Sequence, residues 1–255
     1  MAIIKNEIPI LEFDTETTAV INPNHENLDL KLPEKCVFAF LSDYIDEYAG
    51  KTGAETVETY DSATKLFPIY VVNYKGEDIV LCQAPVGAAP ATQIMDWLIG
   101  YGVRKIISAG SCGTLEPFPE GTFLVPEKAL RDEGTSYHYA PPSRYMEINA
   151  TARKAIEETI LDRGLKYREV LTWSTDGFYR ETKEKVSYRK SEGCSVVDME
   201  CAALAACAAF RGVTWGMLLY TADSLADVEN HEERNWGRHA RGYALDLCLD
   251  AVRKL

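Results

Sequence analysis

SVVDMECAALAACAAFRGVTWGMLLYTAD, residues Ser195 to Asp223, decides how this chain is read. It opens on a short apolar strand, Val196-Val197, and passes directly into Asp198, Met199 and Glu200. A helix of small residues follows from Cys201 to Ala209. A second apolar run, Trp215 to Tyr220, ends at Thr221, Ala222 and Asp223. The order is strand, helix, strand, with a carboxylate just past the end of each strand. In a parallel sheet both carboxylates reach the same carboxyl edge, where α/β proteins bind ligands. The same pattern also fits Glu200 as the cap of a helix N-terminus and Asp223 as the start of a surface loop.

Upstream, the same grammar repeats. Pro68 to Tyr74 and Asp78 to Gln83 are β-branched apolar runs on either side of Lys75-Gly76-Glu77, a hairpin signal. Ala84-Pro85-Val86-Gly87-Ala88-Ala89-Pro90-Ala91 is a small-residue turn before an amphipathic helix that runs to about Tyr101. Such a turn lets a ligand approach N–H groups at the helix start, and it also occurs in ordinary α/β packing. Val103 to Ala109 is the next strand, followed by Gly110-Ser111-Cys112-Gly113-Thr114, where a hydroxyl between glycines suits an oxyanion or ribose contact or a plain tight turn. Gly121 to Pro126 is a strand leading into a polar, aromatic loop through Asp132 to Tyr139, read as facing a ligand or a subunit.

The remaining elements follow from periodicity. Ala19 to Ile21 is a short strand and Pro33 to Tyr48 a helix. Asn149 to Arg163 is a helix and Tyr167 to Thr172 a strand. Glu181 to Ser191 is a solvated helix, and a closing helix runs from about Glu232 to Lys254. Alternating strands and helices indicate an α/β protein with a largely parallel or mixed central sheet. No fixed-period repeat or linker interrupts the 255 residues, so residues 1–255 read as a single domain.

Composition narrows the function classes. A net charge of −12 argues against a nucleic-acid partner, whose phosphates need a basic face. No apolar run approaches the roughly 18 residues of a membrane span. The first residues carry Lys5, Glu7, Glu12 and Asp14 and do not read as a signal peptide. Seven cysteines without a CxxC pair read as buried thiols in a reducing, cytoplasmic compartment. His25, His138, His231 and His239 lack metal-ligand spacing, so no metal is expected.

Four segments taken together resemble the purine and uridine nucleoside phosphorylase family, which also includes the methylthioadenosine/S-adenosylhomocysteine nucleosidases. They are Val86 to Ala91, Ile107 to Gly113, Ser174-Thr175-Asp176-Gly177-Phe178-Tyr179, and Val197-Asp198-Met199-Glu200 with Thr221-Ala222-Asp223. They come in the family's order within about residues 68–225. The resemblance implies the nucleoside phosphorylase fold, a mixed central β-sheet flanked by helices. It implies a pentosyltransferase that cleaves a nucleoside with inorganic phosphate as co-substrate, without organic cofactor or metal. It also implies a homo-oligomer, dimer or hexamer, in which one subunit lends residues to its neighbour.

Residue by residue, the resemblance makes Asp223 the acid that protonates a purine base and Glu200 the holder of the ribose hydroxyls. Met199 lies under the sugar, Trp173 stacks on the base or is a core tryptophan, and Arg180 meets a base carbonyl or pairs with Glu181 or Glu184. Ser111 and Gly87 bind phosphate. Asp223 favours a purine-type base, because uridine-specific members lack this aspartate.

The chain departs from the pattern at the family's phosphate arginines. Ser108 stands where one is expected, and Ile21-Asn22-Pro23-Asn24-His25 holds none. Arginine is hard to replace for bidentate phosphate binding. Arg131, Arg144 or a neighbouring subunit remain as sources of charge. The loss also fits a nucleosidase that uses water, with Glu12 or Glu16 as its positioning group, or a non-catalytic nucleoside-binding protein. Retention of both Glu200 and Asp223 argues against the binder, which has no need of a proton donor.

Overall fold

In a computed structural model that describes residues 3–255, two short strands, β1 (Ile3–Ile4) and β2 (Phe13–Asp14), pair antiparallel ahead of the main sheet. From Lys35 onward strands alternate with helices. In order they are β3 (Lys35–Ala39), α1 (Tyr44–Thr52), β4 (Glu55–Asp61), β5 (Leu66–Tyr74), β6 (Glu77–Gln83), α2 (Ala88–Gly100), β7 (Lys105–Thr114) and β8 (Phe123–Asp132). There follow β9 (Tyr145–Glu147), α3 (Ala150–Asp162), β10 (Tyr167–Thr175), α4 (Lys183–Ser191), β11 (Cys194–Asp198), α5 (Cys201–Arg211), β12 (Thr214–Ser224) and α6 (Arg241–Arg253). The mixed sheet has ten strands, in the order β11-β10-β8-β12-β7-β3-β6-β5-β4, with β9 beside β8.

The central strands are buried on both faces, which explains their unbroken apolar runs. In β12, Trp215, Met217 and Leu219 pack on one side, and Leu218 and Tyr220 on the other. Helices α2 and α5 cover the first face, and α1, α3 and α6 the second. Every residue of α5 from Cys201 to Ala208 is buried. Its alanines and cysteines leave no bulk to hold it off the sheet or off α2.

Sheet topology corrects the expectation of one parallel edge. Strands β8, β10 and β11 run parallel, as do β3, β6, β7 and β12. The two groups meet antiparallel, through Leu219 and Tyr220 of β12 on β8 and through Gly113 and Thr114 of β7 on β11. Strands β7, β12, β8, β10 and β11 therefore close into a ring. The carboxyl ends of β7, β11 and β12 meet at one point of it, so Asp198, Glu200 and Asp223 converge after all.

Four other readings change. Lys35 to Ala39 is a central strand rather than the start of a helix, because Cys36 and Phe38 bury on one face while Val37 and Ala39 bury on the other. The left-handed Ser42 (φ 56°) separates it from α1. Gly110 to Thr114 is the end of β7, not a turn; a Cβ on Gly113 would lie 2.9 Å from both Leu225 and Val197. No strand forms at Ala19 to Ile21. The closing helix begins at Arg241, since Arg234, Trp236 and Gly237 hold left-handed φ values of 52°, 52° and 64° that a right-handed helix cannot include.

Candidate active site

Asp198, the last residue of β11, organises the convergence point. Its Oδ1 accepts from Thr172 Oγ1 and Ser174 Oγ, each at 2.8 Å. Its Oδ2 accepts the N–H groups of Glu200 at 2.8 Å and Cys201 at 2.6 Å. The side chain of Asp198, not that of Glu200, thus accepts the N–H groups at the start of α5, and its lone pairs are fully used. Glu200 is released to point elsewhere. Its Oε1 accepts the N–H of Gly87 at 2.6 Å, at the start of α2, where Gly87 has φ 106°. Burial and then the charge of Asp198 push the Glu200 carboxyl up to about 8.

A cavity of about 130 Å³ opens at this point. Glu200, Met199, Ser111, Gly113 and Asp223 line it together with Phe40, Val86 and Trp236. Phe178, Glu181 and Asp223 are shared with an adjoining cavity of about 280 Å³, whose wall also carries Lys183, Asp227 and His231. The pair forms a cleft with Glu200 and Ser111 at one end and Asp223, Glu181 and His231 at the other. A larger hollow of about 890 Å³ lies between the N-terminal segment, α2 and the loop at Gly134 to Tyr139. None of the four sequence motifs contributes a catalytic-type side chain to it, so size does not locate the chemistry here.

Asp223 is buried, and its Oδ2 lies 3.0 Å from His231 Nε2. Glu181 faces it. Burial and the Asp223 charge push the Glu181 carboxyl up to about 7. Glu181 and Asp223 thus line the same end of the cleft.

Residues 36–252 match the sequence profile of the Phosphorylase superfamily. The chain belongs to this superfamily. A guanosine phosphorylase from Halorubrum lacusprofundi is 26% identical over 153 residues, 60% of this chain and 64% of that protein. The chain spans less than two thirds of that relative's own length. A crystal structure of uridine phosphorylase from Vibrio fischeri ES114 superposes with a TM-score of 0.77 at 21% identity, covering 92% of this chain and 95% of that one. An AMP nucleosidase from Bacteroides thetaiotaomicron superposes with a TM-score of 0.68 at 25% identity, covering 87% and 88%.

Within this superfamily fold, Asp223, Glu200, Met199 and Ser111 are brought to one cavity. Three other expected site residues are not. Trp173 is 0% exposed, donates Nε1–H to Asp132 Oδ2 at 2.8 Å, and is covered by Lys185 and Arg189. It is a core residue and offers no face to a base. Arg180 is exposed and lines neither part of the cleft; its neighbour Glu181 does. The N–H of Gly87 is occupied by Glu200, so it is not a free phosphate donor here.

The candidate sources of positive charge are also placed. Ser108 is 0% exposed and accepts from Trp215 Nε1 at 3.0 Å, inside the core. Arg131 ties its own loop together through Ser136, Ser143 and the carbonyls of Ala140 and Pro141. Arg144 pairs with Glu192. Ile21 to His25 borders the larger hollow, as does Glu16, whereas Glu12 borders neither. The turn that approaches the site from the first central strand is Phe40 to Asp43 instead, and it carries no arginine either. Around Ser111 and Glu200, the described cavity wall holds no lysine or arginine.

Sequence reasoning missed Glu181 and His231. Glu181 sits beside the arginine that drew attention, and His231 lies in a stretch with no periodic signal. Among the described residues no cluster of three His, Cys, Asp or Glu side chains could hold a metal ion, and no helix is long and apolar enough to cross a membrane.

Proposed function

We propose that this chain cleaves the N-glycosidic bond of a purine nucleoside with inorganic phosphate, giving free base and ribose 1-phosphate. The observation that carries the reading is that Asp223, from β12, and Glu200, from the start of α5, face one cavity. Bond breaking builds positive charge on the sugar and negative charge on the departing base. Asp223 gives its proton to the base. Glu200 holds the ribose 2′- and 3′-hydroxyls and, once ionised, opposes the charge on the sugar. Met199 packs under the ribose, and the Ser111 hydroxyl meets phosphate.

No organic cofactor or metal enters this scheme. The rest of the phosphate charge is met by a basic residue of a neighbouring subunit in a dimer or hexamer. The enzyme works in the cytoplasm, where its seven buried thiols remain reduced.

One observation favours a second reading, hydrolysis by water: the described cavity wall has no lysine or arginine near Ser111. The likeness to an AMP nucleosidase points the same way. Base release from inosine, adenosine, uridine and methylthioadenosine, measured with and without phosphate, decides between them. Phosphate-dependent release from the purine nucleosides is expected. Release that ignores phosphate selects the hydrolase, and no release from any of the four leaves only a nucleoside-binding protein.

A further inference from the structure

Asp223 has two oxygens with different surroundings. Oδ2 meets His231 Nε2 at 3.0 Å. Oδ1 lies over the bare Cα of Gly113, 3.3 Å from where a Cβ would stand, on the wall of the cavity. Oδ2 is therefore tied to the imidazole, while Oδ1 lies beside Gly113 with no hydrogen-bond partner among the described residues. The imidazole is held there by the backbone. Ser224 and Glu232 exchange N–H···O bonds of 2.9 and 3.2 Å, so the chain after Asp223 folds back and sets His231 beside it. Glu120 fixes the far side of this loop by accepting the N–H groups of Asn235 and Gly237. The His231 side chain is itself 47% exposed, whereas that of Asp223 is 8% exposed.

We infer that His231 is the positioning residue of Asp223, holding Oδ2 and returning to it the proton that the leaving base removes. This rests on the assignment of Asp223 as the acid. As the C1′–N9 bond breaks, its electron pair moves into the purine ring, and N7 takes the proton of the Asp223 carboxyl. The Asp223 carboxylate then takes the Nε2 proton of the His231 imidazole. The imidazole regains a proton from water at its exposed edge. Asp223 alone has no such contact with solvent.

The other charged groups around His231 are Glu181, which faces both it and Asp223, Lys183 and Asp227 on the cavity wall, and Glu232 beside it. Lys183 is held by Glu229, and Trp236 packs against the imidazole.

The test is His231→Gln, which keeps an N–H donor but cannot deliver a proton. It is assayed on inosine and on N7-methylinosine, whose ring is already cationic and leaves without protonation. On inosine kcat should fall by on the order of 10–100-fold, within the range of proton-transfer effects, with KM changed less than about threefold. On N7-methylinosine kcat should stay within about threefold of wild type. Equal loss on both substrates would reduce His231 to a structural residue, and loss on neither would remove it from the reaction. Asp223→Asn is the control. If it loses inosine cleavage while His231→Gln does not, only the present inference falls. If it keeps inosine cleavage, or if the wild-type protein releases no base, the acid assignment falls with it.

Discussion

Glu200 and Gly87 are joined by a 2.6 Å hydrogen bond that ties the start of α5 to the start of α2. The glycine is required there, because φ 106° is open only to a residue without a side chain. The carboxylate that would grip the sugar is thus held by main chain before any ligand arrives. It is also kept in an environment that disfavours its charge, since burial and Asp198 both act against ionisation.

That environment predicts a trade between activity and stability at Glu200. Unfolded, this carboxyl ionises near its ordinary 4.5; folded, it keeps its proton up to about 8. The stability it contributes below pH 4.5 is therefore lost as pH rises towards 8, at most about 5 kcal/mol. Glu200→Gln keeps an acceptor for the Gly87 N–H and never ionises. Thermal melts should place the variant level with wild type near pH 5 and above it near pH 9, while kcat falls on the order of 100-fold. A variant that melts below wild type at the higher pH would show that the ionised carboxylate stabilises the fold.

At Trp173 the core position separates packing from recognition. Trp173→Phe removes the Nε1–H donor to Asp132, which still holds Lys185 and Arg189. The expected result is a loss of about 1–3 kcal/mol in unfolding free energy, with nucleoside KM unchanged within about twofold. Denaturant titration and steady-state kinetics on one preparation check it. A tenfold rise in KM without loss of stability would put the indole back against the base.

What could be read from sequence follows from how locally each feature is encoded. Strand β12 and helix α5 were legible because Trp215 to Tyr220 and Cys201 to Ala209 are unbroken signals. The β5–β6 hairpin was legible from Lys75-Gly76. Strand β3 was not, because Cys36 to Ala39 buries both faces and so lacks the alternation that separates strand from helix. The carboxylates Glu200 and Asp223 could be named from their motifs, but their meeting depends on ring closure through Gly113 and Val197, a long-range pairing. Trp173 failed as a base platform because its position in a strand fixes which face it presents, and that face is closed by Lys185 and Arg189 from α4. His231 reaches Asp223 only through the Ser224–Glu232 bridge, which no periodicity announces.

Glu181 makes the cleft sensitive to pH near neutrality. Its carboxyl, pushed up to about 7 by burial and by Asp223, is mostly neutral at pH 6 and mostly ionised at pH 8. Ionisation adds a second negative charge where the departing base gathers its own. It also opposes the approach of phosphate. The wild-type kcat/KM for a purine nucleoside should therefore fall as pH rises through about 7. Glu181→Gln cannot ionise, and its profile should lose that descent while activity near pH 6 stays within about threefold of wild type. Profiles of kcat/KM from roughly pH 5.5 to 9 read this directly. If the descent survives in Glu181→Gln, the titrating group is another one, and Glu181 does not govern the charge at the base end of the cleft.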